Sequence, residues 1–214
     1  MPSPNPNLHT PNLILRPAIP SDAPALAALF ANPLNTQHEP HAPSTPTAAH
    51  YLAGIAKWDT LRSSGRAYFL VITRPSKPTT TTMTDTQSSP SSLSTSDDVI
   101  GFGGINEVST DAKGKRIADV GVLIDSSEWR KGYGREAMTA TLDFALRAVE
   151  EGGIGCQEVF FETLAVNLPF QGLADRMGLG TWKSVKSEGK EVEYRFSRED
   201  WQGLKSGGRV EVCE

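Results

Sequence analysis

A chain of 214 residues has enough length for one domain with a substantial core. A formal net charge of −4 and a pI near 5.6 leave no global basic face, which argues against nucleic acid as the main partner. Cys156 and Cys213 sit at no metal or redox spacing, no apolar run is signal-like or long enough to span a bilayer, and no Asn-x-Ser/Thr acceptor occurs, so a cytoplasmic protein with no membrane partner is expected.

Residues 1–12 are rich in Pro and Asn and read as a flexible tail. Leu13 to Arg16 is a short strand. Ser21 or Asp22 caps a helix that carries Leu26, Leu29 and Phe30 on one face, and Asn32-Pro33 ends it. The stretch from Leu34 to Thr45 reads as a loop and carries His38, Glu39 and His41. A second helix runs from about Thr47 to Ser63, with Ala48, Tyr51, Leu52, Ile55 and Trp58 as its apolar stripe. Ala67 to Thr73 and Val99 to Ile105 are apolar strands. Between them, Pro75 to Asp98 is more than half Ser and Thr. Such a segment cannot bury enough apolar area to offset its ordering entropy, so 75–98 reads as a disordered excursion from a hairpin. Arg116 to Ile124 is a strand. Gly134 to Glu150 is a helix with Met138, Leu142, Ala145 and Val149 on one face, and Gly152-Gly153 breaks the chain. Glu158 to Leu164 is a strand. Leu168 to Met177 is a short helix with Phe170, Leu173, Ala174 and Met177 inward, stopped by Gly178 in a left-handed cap. Trp182 to Lys186 and Glu191 to Phe196 make a hairpin, and 198–214 is a C-terminal tail. The order β-α-α-β-β-β-α-β-α-β-β is a mixed α/β pattern of the α+β kind, within a single domain spanning 13–197.

The most informative stretch is Trp129-Arg130-Lys131-Gly132-Tyr133-Gly134-Arg135-Glu136-Ala137, between a strand and a helix. The first turn of a helix has backbone N–H groups without partners, and an anion accepts from several at once. Gly132 and Gly134 let the backbone approach a ligand closely, while Arg130, Lys131 and Arg135 add full charges suited to a polyphosphate. Gly132-x-Gly134-x-x-Ala137 also fits a dinucleotide fingerprint. Against that reading, the strand ends too far back for a tight first turn, and Glu158 is a poor match for the ribose-binding acid. A Walker loop is excluded, because no Lys-Ser/Thr pair follows the second glycine. A basic glycine loop without a ligand remains the plain alternative.

The segment Ala118-Asp119-Val120-Gly121-Val122-Leu123-Ile124, a four-residue gap and the glycine loop together resemble the acetyl-CoA-binding core of the GNAT family of N-acetyltransferases. The leading Trp129 and the Glu136-Ala137 pair are similar to the branch of the ribosomal-protein alanine acetyltransferases, of RimJ and RimL type. Leu15-Arg16-Pro17-Ala18 with Ser21-Asp22-Ala23 resembles that branch's opening strand and helix, and Asn167 with Met177-Gly178-Leu179 resembles a later segment. The resemblance spans about residues 13–197, apart from the inserted stretch. It implies a mostly antiparallel sheet, splayed in the middle and flanked by helices. It implies acetyl-CoA as the donor, a small-molecule or peptide amine as the acceptor, and a monomer or homodimer.

An N-acetyltransferase needs a grip on coenzyme A, an amine with a free lone pair, a donor for the developing oxyanion and a proton for the leaving thiolate. The resemblance assigns the grip to the glycine loop, Arg130 to Glu136, with backbone groups of Val122, Leu123 and Ile124 holding the pantetheine arm. Asp119 interrupts an otherwise apolar run, shares a face with Ile117, Gly121 and Leu123, and is the foremost candidate base. Glu107 and Glu162 are the alternatives. Asn167 matches the family's cofactor-arm asparagine, and equally suits a helix N-cap before Leu168-Pro169. The branch's proton-donating serine falls at Phe170, and the tyrosine of other members falls at Leu173 or Ala174, so the usual general acid is absent. A non-catalytic acyl-CoA-binding or interaction module is therefore the competing reading. His38-Glu39-Pro40-His41 is no metal site, since Pro40 separates the two histidines and no companion ligands exist. In this fold His38, Glu39 and His41 would line the acceptor site.

Overall fold

Apolar residues change period along this chain, from every second position in strands to every third or fourth in helices, and the elements follow that change. A computed structural model describes residues 6–40, 42–75 and 98–207. In chain order the elements are β1 (Leu8–His9), β2 (Ile14–Pro17), α1 (Ala23–Ala31), α2 (Pro33–Thr36), α3 (Ala48–Ser63), β3 (Tyr68–Arg74), β4 (Asp98–Thr110) and β5 (Arg116–Ile124). They continue with α4 (Tyr133–Leu146), β6 (Glu158–Leu164), α5 (Leu168–Arg176), β7 (Lys183–Lys186), β8 (Glu191–Ser197) and α6 (Arg198–Lys205).

Among the described residues the strands form one eight-stranded sheet in the order β1-β2-β3-β4-β5-β6-β8-β7. Every neighbouring pair is antiparallel except β5 and β6. The fold is thus mixed α/β with a mostly antiparallel sheet. One face packs on α4, α5 and α6, where Met138, Leu142, Phe144, Ala174 and Trp201 meet Ala118, Val120, Val159 and Phe161. On the other face α1 and α3 cover β3, β4 and β5, with Leu26, Leu29, Tyr51 and Ile55 set on Val71, Phe102 and Leu123. Among the described residues these helices stop at β5, and no helix covers the second face over β6, β8 and β7. The centre of the sheet is drawn tight by glycine: a Cβ at Gly103 would lie 2.4 Å from the Gly121 carbonyl oxygen of the next strand.

Several elements differ from the sequence expectation. The tails are shorter than 1–12 and 198–214. Leu8 and His9 pair with Leu15 and Ile14, and the Asn12 backbone N–H and side-chain amide both donate to the Glu136 carboxylate, at 2.8 and 3.0 Å. Residues 198–205 form α6, because Ser197 and Asp200 cap it reciprocally and Trp201 buries its ring with the indole N–H on Asp143 at 2.7 Å. Asp22 does not cap α1 with its side chain; it accepts instead from the Ile19 N–H and the Arg16 guanidinium, each at 2.8 Å. The loop expected at 34–45 opens with α2, capped by Asn32 through the Leu34 N–H at 3.0 Å. In α3, Leu52 points outward while Tyr51 and Ile55 are buried. Helix α4 ends at Leu146, not Glu150, because the chain doubles back there, Gly153 N–H onto the Ala148 carbonyl and Gly155 N–H onto Arg147, which leaves Val149 exposed. Gly178 takes the left-handed φ of 82° expected of it. His41, Cys213 and nearly all of the Ser/Thr-rich stretch lie outside the described residues.

Candidate active site

β5 pairs with β4 along its length, from Thr110↔Arg116 to Gly101↔Ile124. With β6 it pairs only through Ile117↔Glu158, Ala118↔Val159 and Asp119↔Phe160. Beyond Asp119 the two strands part, and the outer backbone edge of Val120 to Ile124 faces a gap instead of a strand. The first turn of α4 closes one end of that gap. A Cβ at Gly134 would lie 3.5 Å from Leu173 Cδ2 on α5 and 3.8 Å from Ile124 Cγ1 on β5, so three elements meet there.

The connection from β5 to α4 is bent to present that turn. The Trp129 indole N–H donates to the Ile124 carbonyl at 2.7 Å and folds the loop back on the strand end. Arg130 takes φ 64° and Gly132, the N-cap of α4, takes φ 88°; no side chain caps the helix. The N–H groups of its first turn are therefore open to an anion. Glu128, buried, holds Lys131 at 3.0 Å and Arg74 at 3.5 Å. Arg130 and Arg135 are exposed and make no ion pair among the described residues. Glu136 faces the N-terminal segment. Burial alone would raise its carboxyl, but hydrogen bonds from Thr10 and Asn12 outweigh that and hold it below the usual glutamate value. Val122 to Ile124, the open helix turn and the free cations fit an elongated polyphosphate thioester: backbone donors and acceptors along the arm, cations at the phosphates.

At the fork the three carboxylates named from the sequence come together. Glu107 pairs with Asp119 across β4 and β5, and Asp119 pairs with Phe160 across β5 and β6, two residues from Glu162. Burial pushes the Asp119 carboxyl up to about 6; a hydrogen bond from the Asn106 amide pulls the other way, and the charges of Glu162 and Glu107 raise it further. Glu162 is exposed and held by Lys186 at 2.9 Å. Glu107 is exposed, with no ion pair among the described residues. Asn167 caps α5, accepting from the Phe170 N–H at 3.2 Å while its amide donates to Thr163 at 2.9 Å. Among the described residues no group of three His, Cys, Asp or Glu is placed to hold a metal ion, and no helix is long and apolar enough to cross a membrane.

A family model described as the acetyltransferase (GNAT) domain matches residues 12–180. The chain belongs to the GNAT acetyltransferases. The family's activity is N-acetyl transfer and its donor is acetyl-CoA. No curated protein sequence matches the chain. Among solved structures, the ribosomal-protein-S5-alanine acetyltransferase of Vibrio fischeri is similar, with a TM-score of 0.66 at 15% identity over 92% of this chain and 99% of that one. RimL, a ribosomal L7/L12 alpha-N-protein acetyltransferase in complex with coenzyme A, gives 0.61 at 15% identity over 88% and 95%. Apo FdhC, a nucleotide-linked sugar GNAT, gives 0.64 at 16% identity over 95% and 96%. At such identities the likeness is one of fold.

Two features of this GNAT chain escape a reading of the sequence. Asn35, buried in α2, accepts from the Ser126 N–H at 2.8 Å and donates to Asp125 at 3.0 Å and to the Leu29 carbonyl at 2.9 Å. Asn32 adds a bond to Ser126 Oγ at 3.0 Å. The α1–α2 elbow is thereby latched to the start of the glycine loop. This places the anchor of the segment leading to His38 and Glu39 near the Ile124 end of β5, about 17 Å along the strand from Asp119. The second is Asn106, which sits between Ile105↔Val120 and Glu107↔Asp119 without a partner of its own, in a β-bulge. Asn35 in an expected loop and Asn106 inside a strand carry no motif, and only the local Asn32-Pro33 boundary hinted at the elbow.

Proposed function

We propose that this GNAT enzyme transfers acetyl from acetyl-CoA to a primary amine, on a protein N-terminus or a small molecule, by direct attack in a ternary complex. The observation that carries the reading is the parting of β5 from β6 immediately after Asp119, beside an uncapped helix turn. The N–H groups of Gly132, Tyr133, Gly134 and Arg135, with the charges of Arg130, Lys131 and Arg135, hold the pyrophosphate. Backbone groups of Val122, Leu123 and Ile124 hold the pantetheine arm, with Asn167 at its far side. Glu136 contributes indirectly, by pinning the helix turn to Asn12.

Acetyl-CoA supplies an activated acetyl thioester when bound. Asp119, with a carboxyl near 6, is ionised at neutral pH yet basic enough to take a proton from an acceptor ammonium. Glu107 and Glu162 flank it and favour a cationic amine over a neutral one before that proton is lost. Phe170, which stands where the resemblance would put a proton-donating serine, packs edge-on to Phe161 at 5.6 Å and offers no donor to a leaving thiolate. Solvent supplies that proton. The acceptor enters from the uncovered second face, in a cytoplasmic setting.

Isothermal titration of acetyl-CoA into the wild-type chain and into Gly134→Asp tests the cofactor half. The substitution adds a negative charge to the phosphate turn, with only ordinary contacts to Leu173 and Ile124 around it. We expect the mutant to fold and to lose at least about 100-fold in affinity, roughly the loss of one or two charge-assisted bonds. Near-normal affinity in the folded mutant means that the pyrophosphate lies elsewhere.

A further inference from the structure

A regular β4 would set one residue opposite Asp119. Ile105 pairs with Val120, so unbroken register would put residue 106 there and turn residue 107 to the α4 face. The bulge changes this. Glu107 takes the pairing with Asp119, while Asn106 stands as the extra residue before it. Both side chains then lie beside one carboxylate.

The neighbouring position on β5 makes room for the amide. A Cβ at Gly121 would come 3.3 Å from Asn106 Nδ2 and 4.0 Å from Oδ1, so the amide lies over a residue with no side chain. From there it hydrogen-bonds to Asp119. Among the described residues, the other groups facing Asp119 offer no donor. Glu107 from β4 and Glu162 from β6 are carboxylates. Phe160, its partner on β6, lies under the Arg195 guanidinium at 4.4 Å, and that guanidinium is bound to Glu158 and Glu193 at 2.6 and 2.9 Å. Lys186 is spent on Glu162 and Glu193. Asn106 is thus the group that opposes the burial and repulsion acting on Asp119.

We propose that Asn106 is a positioning residue of the acceptor site: from the β4 bulge its amide holds the Asp119 carboxylate in one orientation at the mouth of the fork. The bulge and Gly121 are the two backbone features that make this possible. A donor placed by a neutral amide leaves the carboxylate basic, whereas an Arg or Lys in the same place would lower its basicity below use. The inference rests on the reading of Asp119 as the base, and its test separates the two.

The first measurement needs no acceptor. In protein with 13C-labelled aspartate carboxyls, the Asp119 signal is followed through a pH titration by NMR, assigned by its loss in Asp119→Asn. In Asn106→Ala we expect the midpoint to rise by about one pH unit, the size of one lost hydrogen bond to a charged group. Asn106→Asp keeps the side-chain shape and replaces the donor by a second carboxylate; there the pair should retain one proton to a still higher pH. Acetyl-CoA affinity should be unchanged in both. A midpoint that stays where it is in the wild type, in either folded variant, overturns the role of Asn106. The second measurement is turnover of Asp119→Asn on a panel of peptide and small-molecule amines that the wild type acetylates. Full turnover there sinks the reading of Asp119 as base, whatever Asn106 does to its titration.

Discussion

Glu193 on β8 and Asp119 on β5 lie on the same face of the sheet, with β6 between them. Glu193 is buried and Asp119 half-buried, and their environments drive the two carboxylates in opposite directions. For Glu193, burial would raise the carboxyl, but Arg195 and Lys186 outweigh it and bring it down to about 2. For Asp119, burial brings the carboxyl up to about 6, with only the Asn106 amide in opposition. The divide between the two is a single aromatic ring. Glu107, Asp119, Phe160 and Arg195 stand in one row across β4, β5, β6 and β8. Arg195 lies over the Phe160 ring and turns to Glu158 and Glu193, so its charge stops one strand short of Asp119. One half of this face spends its charges on itself, and the half at the fork leaves a carboxylate without a cation among the described residues, which is what a base working near neutral pH requires.

The largest expected effect comes from removing the unpaired member. Asp119→Asn should lower turnover by about 10²–10⁴-fold, the usual worth of a positioned base, and leave acetyl-CoA affinity intact. It should also stabilise the fold. The folded carboxyl lies above its unfolded value of 3.8, so stability falls as pH rises from about 4 to about 6, and at neutral pH the buried charge carries its full cost. Asparagine removes that cost. With partial solvent screening, we expect about 1–2 kcal/mol of added stability at pH 7 and none at pH 4, read from urea unfolding at both pH values. A mutant both slower and less stable would mean that Asp119 serves the fold.

Glu193→Gln should do the reverse to stability and leave turnover alone. Its folded carboxyl is depressed, so its contribution is present above about 4.5 and is lost as pH falls towards 2. We expect a loss of about 1–2 kcal/mol at pH 7 that vanishes in acid, with acetyl-CoA affinity unaffected. The pH dependence of unfolding, compared between Glu193→Gln and wild type, checks the sign directly. Equal destabilisation at every pH would point to lost packing in place of lost pairing.

What the sequence discloses follows from how far apart the interacting residues are. The glycine loop is legible because its causes are local: Gly132 and Gly134 stand within the turn they shape. Asp119 is legible because a charged residue breaks an alternating apolar run. Glu107 and Glu162 could be named from their strands, but their meeting with Asp119 depends on registers between three strands, which no local pattern states. The bulge at Asn106 is hidden for the same reason, since one extra residue in β4 is visible only against β5. The latch of Asn35 on Asp125 joins residues 90 positions apart. β1 and α6 are too short to stand alone, and are held by Asn12 on Glu136 and Trp201 on Asp143. His38 and Glu39 were attached to the acceptor by resemblance, and the elbow that precedes them is anchored just past the Ile124 end of β5, at Asp125 and Ser126.

The smallest expected effect tests how the two halves communicate. Lys186 bridges Glu193 at 2.5 Å and Glu162 at 2.9 Å, and Glu162 in turn acts on Asp119. Its ammonium therefore cancels part of the charge that repels a second carboxylate at the fork. In Lys186→Ala, Glu162 stands uncompensated and Asp119 should titrate at higher pH, by roughly a few tenths of a unit, since Lys186 is exposed and its pairing is weakened by water. Salt separates this from a change of shape. At about 1 M ionic strength the Debye length falls to about 3 Å, so a Coulombic shift should shrink towards zero while a structural one persists. The same carboxyl NMR titration, run on wild type and Lys186→Ala at low and high salt, reads both. A shift that survives high salt would show that Lys186 shapes β7 and β8 against the fork; no shift at low salt would show that Glu162 is decoupled from Asp119, and the charged half of the face would then be purely structural.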